Sequence, residues 1–400
     1  MTPVPDPAPR GLTRRVKRIK ISETKRMPML AAEVGGCVSL GQGVPSFATP
    51  EFVVDAVCAA LRTDPAAGKY TLQPGLPELR RAVAAMLARD KGLAATPGVE
   101  PTDEVAITVG AMEALLMAML TLVQKGDEVL VPEPYYPSHV EQILLAGGEP
   151  VFAPLDRAAW ELDVDALRKI VTRHTKLVLV SSPHNPTGAV WSEATLRDLA
   201  AFALDHDLWV LCDDTYDALA YDGRPAFSLA SVPELAPRLI LVSSFSKRYA
   251  LTGWRVGYAR APKRLLDEML KVHDATTICA PAPSQLAALA ALNGPQEVFD
   301  GFRLRLEARR DLCCRRLDEL GEAVSYVRPA GAFYVMLACR FSREDSQALA
   351  ERVLREARVI TIPGGAFGPG GQGHLRLSFG GDEAELNEAF DRLAAWIARQ

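Results

Sequence analysis

The sequence predicts an α/β protein: a large domain on a mainly parallel sheet, joined to a smaller α+β domain. Short β-type runs recur near residues 105, 129, 177, 209, 239 and 256 with helical stretches between most of them, the alternation that parallel strands joined by crossover helices produce. After Pro283 the chain reads as helical through Leu320. The order then changes to strand-like runs at 324–327, 332–337, 359–362 and 375–378 with helices between, the pattern of a second, smaller unit. Three segments follow: 1–48, an N-terminal arm and part of the small domain; 49–290, the large domain; and 291–400, the small C-terminal domain.

Composition bounds the rest. Four hundred residues, 48% hydrophobic and 24% charged, are ordinary globular values and, at ~150 residues per domain, imply two or three domains. A net charge of −4 and a pI near 6.0 give no electrostatic case for nucleic acid or a membrane surface as the main partner. The seven cysteines are scattered, odd in number and without CxxC spacing, so neither a disulfide framework nor a zinc cage is expected, and a reducing, cytoplasmic setting fits. No apolar run approaches the ~18 residues that span a bilayer, and no hydrophobic signal core opens the chain. A soluble, unprocessed protein is expected.

In chain order, residues 1–9 hold four prolines and read as a disordered lead. The basic run 10–26 reads as a short solvated arm or a partly helical segment rather than a nucleic-acid contact. Residues 38–45, VSLGQGVP, form a short strand entering a glycine turn. Helical periodicity follows at 51–62 through Val53, Val54, Val57 and Leu61, and again at 78–89, with Tyr70 and a Pro74-Gly75 turn between them. At 302–320, arginines and acids alternate at helical spacing, which reads as a solvated face; Cys313 and Cys314 read as inert. Six glycines between 364 and 373 read as a flexible loop, and 382–398 closes the chain as an amphipathic helix.

The chemistry concentrates at strand exits. The run 239–260 delivers Lys247 from a β-rich segment, with Ser244 and Ser246 beside it and Arg255 eight residues on, between Gly253 and Gly257. A lone lysine at a strand exit is usually solvated. Beside anion-binding hydroxyls and a guanidinium, its amine suits a Schiff base with a carbonyl cofactor, which suggests pyridoxal phosphate. The strand at 105–109 ends in Gly110-Ala111-Met112 ahead of an apolar helix, a junction that lets phosphate reach free N–H groups. The strand at 208–212 runs into Asp213-Asp214-Thr215-Tyr216, two acids competing for a ligand position at the carboxyl end of a strand. Asn185 sits in SSPHNPTG after another strand, where an Asn-Pro turn is the plain alternative. Tyr135 and Tyr136 could be ordinary loop packing, and His139 reads as structural rather than catalytic.

The runs Ser244-Phe245-Ser246-Lys247 and Leu251-Thr252-Gly253-Trp254-Arg255-Val256-Gly257, together with the NPTG and Asp-x-x-Tyr motifs, resemble the class I/II pyridoxal-phosphate-dependent aminotransferases over nearly the whole chain. The resemblance implies the aspartate aminotransferase-like fold, fold type I, whose large domain carries a mainly parallel seven-stranded sheet. It implies that Lys247 holds the cofactor; that Gly110, Ala111, Met112, Ser244 and Arg255 bind its phosphate; and that Tyr136 stacks on its ring. It selects Asp213 as the partner of the ring nitrogen, leaving Asp214 an outer or exposed acid, and gives Asn185 and Tyr216 the ring oxygen. Gly41 stands at the substrate's entry, Arg376 takes the substrate α-carboxylate, and Tyr70 reaches the phosphate of a second subunit in a homodimer.

The activity so implied is ping-pong transamination from an L-amino acid to a 2-oxo acid such as 2-oxoglutarate, with Lys247 moving the Cα proton. One aspartate-specific subgroup carries a lysine where this chain has Met112, so aromatic, neutral and aspartate donors all stay open. A carbon–sulfur β-lyase of the same fold is the alternative, and a non-catalytic ligand sensor a further one; no metal is implied.

Overall fold

Runs of aliphatic and β-branched residues pair into one sheet of seven strands: β1 Val105–Thr108, β2 Glu128–Glu133, β3 Glu149–Pro154, β4 Thr175–Val180, β5 Trp209–Asp213, β6 Leu239–Ser244 and β7 Gly257–Arg260. The computed structural model describes residues 11, 13–19 and 22–400; the proline-rich lead lies outside the described residues. Spatial order is β1-β7-β6-β5-β4-β2-β3. Neighbours from β6 to β3 are parallel, and β7 runs antiparallel to both β1 and β6. The central strands are apolar throughout because both faces are covered. Along β6, Leu239 and Leu241 enter one core while Ile240 and Val242 enter the other, as the two-residue period requires.

The sequence pattern gave no sign of β3. It carries Pro150 and Pro154 and buries only Ala153, composition that suits an edge strand, where a missing donor costs no ladder bond.

The second unit is a four-stranded antiparallel sheet, ordered Ile362–Pro363, His374–Ser378, Tyr334–Cys339, Val324–Tyr326. Helices Ser346–Ala357 and Glu383–Ile397 add Leu349, Val353, Phe390 and Trp396 to its core. Val38–Ser39 pairs in parallel with Val359–Ile360, so the N-terminal segment joins this unit. Helix Gln296–Asp318 serves both bodies: Phe299 and Phe302 pack into the main-sheet core, Leu306, Cys313 and Leu317 into the other.

Two expectations of polarity need correction. The helix read as a solvated face buries Arg309 and Arg310; Arg310 forks onto Asp222 at 2.8 and 2.8 Å, which satisfies a planar guanidinium as scattered surface pairs would not. The glycine cluster read as a flexible loop instead forms two tight turns, Gly364–Phe367 and Pro369–Gly371. A Cβ at Gly364 would collide with the Gly371 carbonyl, so glycine serves close backbone approach.

The basic N-terminal run folds as helices Arg14–Lys17 and Glu23–Val34. Arg18 bonds Glu149 at 2.9 and 2.7 Å, and Arg26 pairs with Glu23 and Glu351, tying the segment to the main-sheet edge and to the small unit. Among the described residues no helix is long and apolar enough to cross a membrane, and no three His, Cys, Asp or Glu side chains cluster to hold a metal.

Candidate active site

Strand register assembles the site. Thr108 and Ser244 both lie opposite Gly257, and Asp213 lies opposite Val242, so the exits of β1, β5 and β6 and the start of β7 meet at one end of the sheet. This is where open α/β sheets place ligands. A cavity of about 760 Å³ opens there, bounded by the main sheet, the Gly41–Val44 turn, the N-terminal helix and Arg376.

Lys247 sits in the one-turn helix Phe245–Arg248, started by the Ser244 hydroxyl, which accepts from the Ser246 amide at 2.9 Å. Its Nζ donates to the Gly43 carbonyl at 2.6 Å. Burial, followed by the charges of Arg255 and Arg376, pulls the amine down to about 8, against the opposing pull of Asp213. An amine so placed loses its proton close to neutral pH.

Asp213 is 7% exposed. One carboxylate oxygen meets His139 Nε2 at 2.8 Å, and the other accepts from the Thr215 hydroxyl at 2.6 Å and the Thr215 amide at 3.2 Å. Burial pushes this carboxyl up, but His139 and the Thr215 donors outweigh it and hold it below its ordinary value, so the acid is ionised where it faces the cavity. The Tyr216 hydroxyl bonds that of Tyr334 at 2.8 Å; burial pushes Tyr216 well above its ordinary value and Tyr334 to about 12, so both stay protonated donors.

Arg376 is 2% exposed and stacks over the Tyr334 ring at 4.4 Å. Nη1 donates to Asn185 Oδ1 at 3.1 Å and Nη2 to the Gly41 carbonyl at 2.8 Å, while Nε is buried without a partner. Neither contact is a carboxylate. A buried guanidinium held by neutral oxygens, with an orphan donor, is poised for an external anion.

A second anion cradle lies at Gly110, whose φ of +73° begins helix Gly110–Leu122. A Cβ there would come within 2.8 Å of the Arg255 guanidinium, and one on Gly257 within 2.8 Å of the Ala111 amide. The two glycines thus let backbone N–H groups, Ser244 and Arg255 close on one small space.

All but two of the predicted site residues line the cavity: Gly41, Ala111, Met112, Tyr136, Asn185, Asp213, Tyr216, Ser244, Lys247, Arg255 and Arg376. Gly110 stands just outside, against Arg255. Tyr70 is not brought to this cavity; it is 79% exposed on the surface. Asp214 is not exposed but stands outside the cavity as a buried acid: it is 4% exposed, 2.5 Å from Lys91, which also meets Asp217 at 2.5 Å.

Sequence reasoning missed Gly43 and Tyr334, and it took His139 as structural without seeing its bond to Asp213. His139 follows Tyr136 by three residues at the start of helix Pro137–Ala146, a spacing that could have placed both on one side. Tyr334 lies in an ordinary apolar strand and gave no signal.

Residues 36–393 match the family described as Aminotransferase class I and II. The chain is 35% identical to aromatic-amino-acid aminotransferase 2 of Thermococcus litoralis, covering 96% of this chain and 97% of that one. It is also 35% identical to the aspartate aminotransferase of Pyrococcus abyssi, with the same coverage. The solved aspartate aminotransferase of Thermus thermophilus with maleate superposes with a TM-score of 0.89 at 36% identity, over 96% of this chain and 99% of that one. With a buried amine, a buried acid and two anion cradles already in one cavity, the chain belongs to the class I and II aminotransferases. It is a pyridoxal-phosphate-dependent enzyme that transfers amino groups between amino acids and 2-oxo acids; the Gly110–Arg255 cradle and the buried amine of Lys247 fit that cofactor.

Proposed function

We propose that this enzyme works by a ping-pong exchange between an L-amino acid and a 2-oxo acid such as 2-oxoglutarate, as a homodimer to which Tyr70 contributes across the interface. The observation that carries the reading is Arg376, a buried guanidinium with an unpartnered Nε beside the low-pKa amine of Lys247. Pyridoxal phosphate, when bound, supplies an aldehyde for amines and a ring that takes up charge from the substrate's Cα.

The protein's own groups do the rest. Ser244, Arg255 and the amides that follow Gly110 hold the phosphate, and Tyr136 packs against the ring. Asp213, ionised and fixed by His139, keeps a proton on the ring nitrogen. Tyr216 and the free Nδ2 of Asn185 donate to the ring oxygen. Arg376 fixes the substrate α-carboxylate at the Gly41 turn, and Lys247 Nζ takes the Cα proton. The exposed Tyr70, with Leu72 at 63% and Ile278 at 46% exposure, supports an apolar contact between subunits. The separate apolar cores likewise support a division near 48 and 290.

The test is the visible spectrum of the purified protein as single amino acids are added without an oxo acid. Stoichiometric conversion of the cofactor band supports the exchange. Release of pyruvate over many turnovers from β-substituted donors alone would replace it with a lyase.

Two further outcomes check the assignments. In protein freed of cofactor, the rate at which Lys247 captures added pyridoxal phosphate is expected to rise with pH through about 8 and then level; the lowered value means the amine is neutral above that point. A rise continuing to about 10.4 would show an ordinary lysine. Arg376→Ala is expected to lower kcat/KM for every amino acid by about 10²-fold or more, the cost of an anchoring charge pair, and a loss under about fivefold would sink its role.

A further inference from the structure

Two tyrosine hydroxyls meet at the cavity wall. Tyr216 follows the exit of β5, Tyr334 begins the strand Tyr334–Cys339 of the smaller unit, and their oxygens lie 2.8 Å apart with the ring planes at 78°. Resting on the assignment of Tyr216 to the ring oxygen above, we propose that Tyr334 is a positioning residue: its hydroxyl donates to the Tyr216 oxygen and so directs the Tyr216 proton at the cofactor, while its ring bears the Arg376 guanidinium.

The direction follows from counting protons. Both phenols are buried, and burial before any other cause keeps each protonated at neutral pH. A phenol has one proton to give, so the bond between them uses one and leaves the other free. Among the described residues the Tyr334 hydroxyl bonds only Tyr216. The Tyr334 oxygen also abuts the Gly43 turn so closely that a Cβ on Gly43 would stand 2.7 Å from it, and the Gly43 carbonyl is taken by Lys247. The Tyr334 proton therefore has Tyr216 as its outlet, and the Tyr216 proton is left for the cavity. Accepting one hydrogen bond also polarises Tyr216 into a stronger donor.

Neither ring is free to turn away. The Ala332 amide donates to the Leu219 carbonyl at 2.8 Å, the Tyr221 amide to the Ala330 carbonyl at 3.0 Å and the Gly331 amide to the Gly188 carbonyl at 2.9 Å, lacing the chain before Tyr334 to the chain after Tyr216. Phe333 packs edge-on against Tyr216 with ring centres 5.5 Å apart. On the paired strands Met336 lies opposite Arg376 and Tyr334 opposite Ser378, and the Tyr334 ring lies 4.4 Å from the Arg376 guanidinium carbon. One side chain thus supports both the group assigned to the substrate carboxylate and the group assigned to the ring oxygen.

The test titrates the visible band of the holoenzyme with pH in wild type, Tyr334→Phe, Tyr216→Phe and the double variant. A donor to the ring oxygen binds more strongly once the link to Lys247 has lost its proton and charge gathers on that oxygen, so it lowers the midpoint. Tyr216→Phe is expected to raise the midpoint by about one pH unit and Tyr334→Phe by about half of one, the scale of a neutral hydrogen bond acting directly and through a relay. In the double variant the loss of Tyr334 should add nothing, because its relay is gone. In half-reactions Tyr334→Phe should lower kcat about fivefold with KM changed less than about twofold, since the ring under Arg376 remains; Tyr334→Leu should raise KM about fivefold as well. A packing role alone would not move the midpoint. An unchanged midpoint in Tyr334→Phe beside a raised one in Tyr216→Phe, or a Tyr334→Phe shift that persists without Tyr216, would overturn this proposal alone. An unchanged midpoint in Tyr216→Phe would strike the assignment of Tyr216 itself, and the role of Tyr334 with it.

Discussion

Lys247→Ala should lower the rate of amino-group transfer by at least about 10⁴-fold, since on the proposed mechanism it removes both the attachment point and the proton carrier. The amine is buried, pulled down to about 8 and fixed on the Gly43 carbonyl, and no second lysine of the described residues inside the cavity sits among the cofactor contacts. Lys247→Arg is the sharper control. It keeps charge and approximate length, yet guanidinium does not release a proton in this range, so it should be nearly as inactive. The phosphate cradle at Gly110 and Arg255 is untouched in both variants, and the cofactor should still be retained by non-covalent contacts. Stopped-flow measurement of one half-reaction decides the matter; more than about 1% of the wild-type rate in either variant would remove Lys247 from the chemistry.

The second large effect concerns stability. Lys91→Met leaves Asp214 and Asp217 facing each other without their shared amine, in a site where Lys91 and Asp214 are 8% and 4% exposed. Burial opposes the charge on Lys91, but the two acids hold it well above its ordinary value. Burial and the charge of Asp217 push Asp214 up even as Lys91 pulls it down. Removing the cation from a buried pair costs about 3–5 kcal/mol, a large share of the roughly 5–15 kcal/mol by which domains are stable. Calorimetry should show Tm lowered by about 5 °C, with part of the loss recovered in Lys91→Met/Asp214→Asn, where one orphaned charge is gone. An unchanged Tm would mean that water reaches these acids freely.

The sequence made most of this site readable, and the reason is local. Lys247, Arg255, Asp213, Tyr216 and Asn185 lie in short segments that follow β-type runs, where strand ends and chemistry coincide within a few residues. What was hidden depends on distant pairing. Tyr334 matters because its strand brings it to Tyr216, 118 positions away. Gly43 matters because its carbonyl meets an amine 204 positions on. Asp214 looked like a spare acid because nothing near it in sequence announces Lys91. The fold shows the same division: central strands declare themselves by unbroken apolar runs, whereas β3, at the margin and carrying two prolines, does not.

The reversed direction of β7 has a bearing on how the protein is held together. β1 is the outermost strand on its side and is joined to the sheet only through β7; Gly110 follows β1, and Arg255 precedes β7. An anion gripped by both would therefore act as a rivet through this edge seam of the sheet. Such a ligand stabilises the closed seam in proportion to its occupancy, and when it leaves, amide exchange should quicken first along Val105–Thr108. On the assignment proposed above, a cofactor phosphate held there would double as a fastener for the fold.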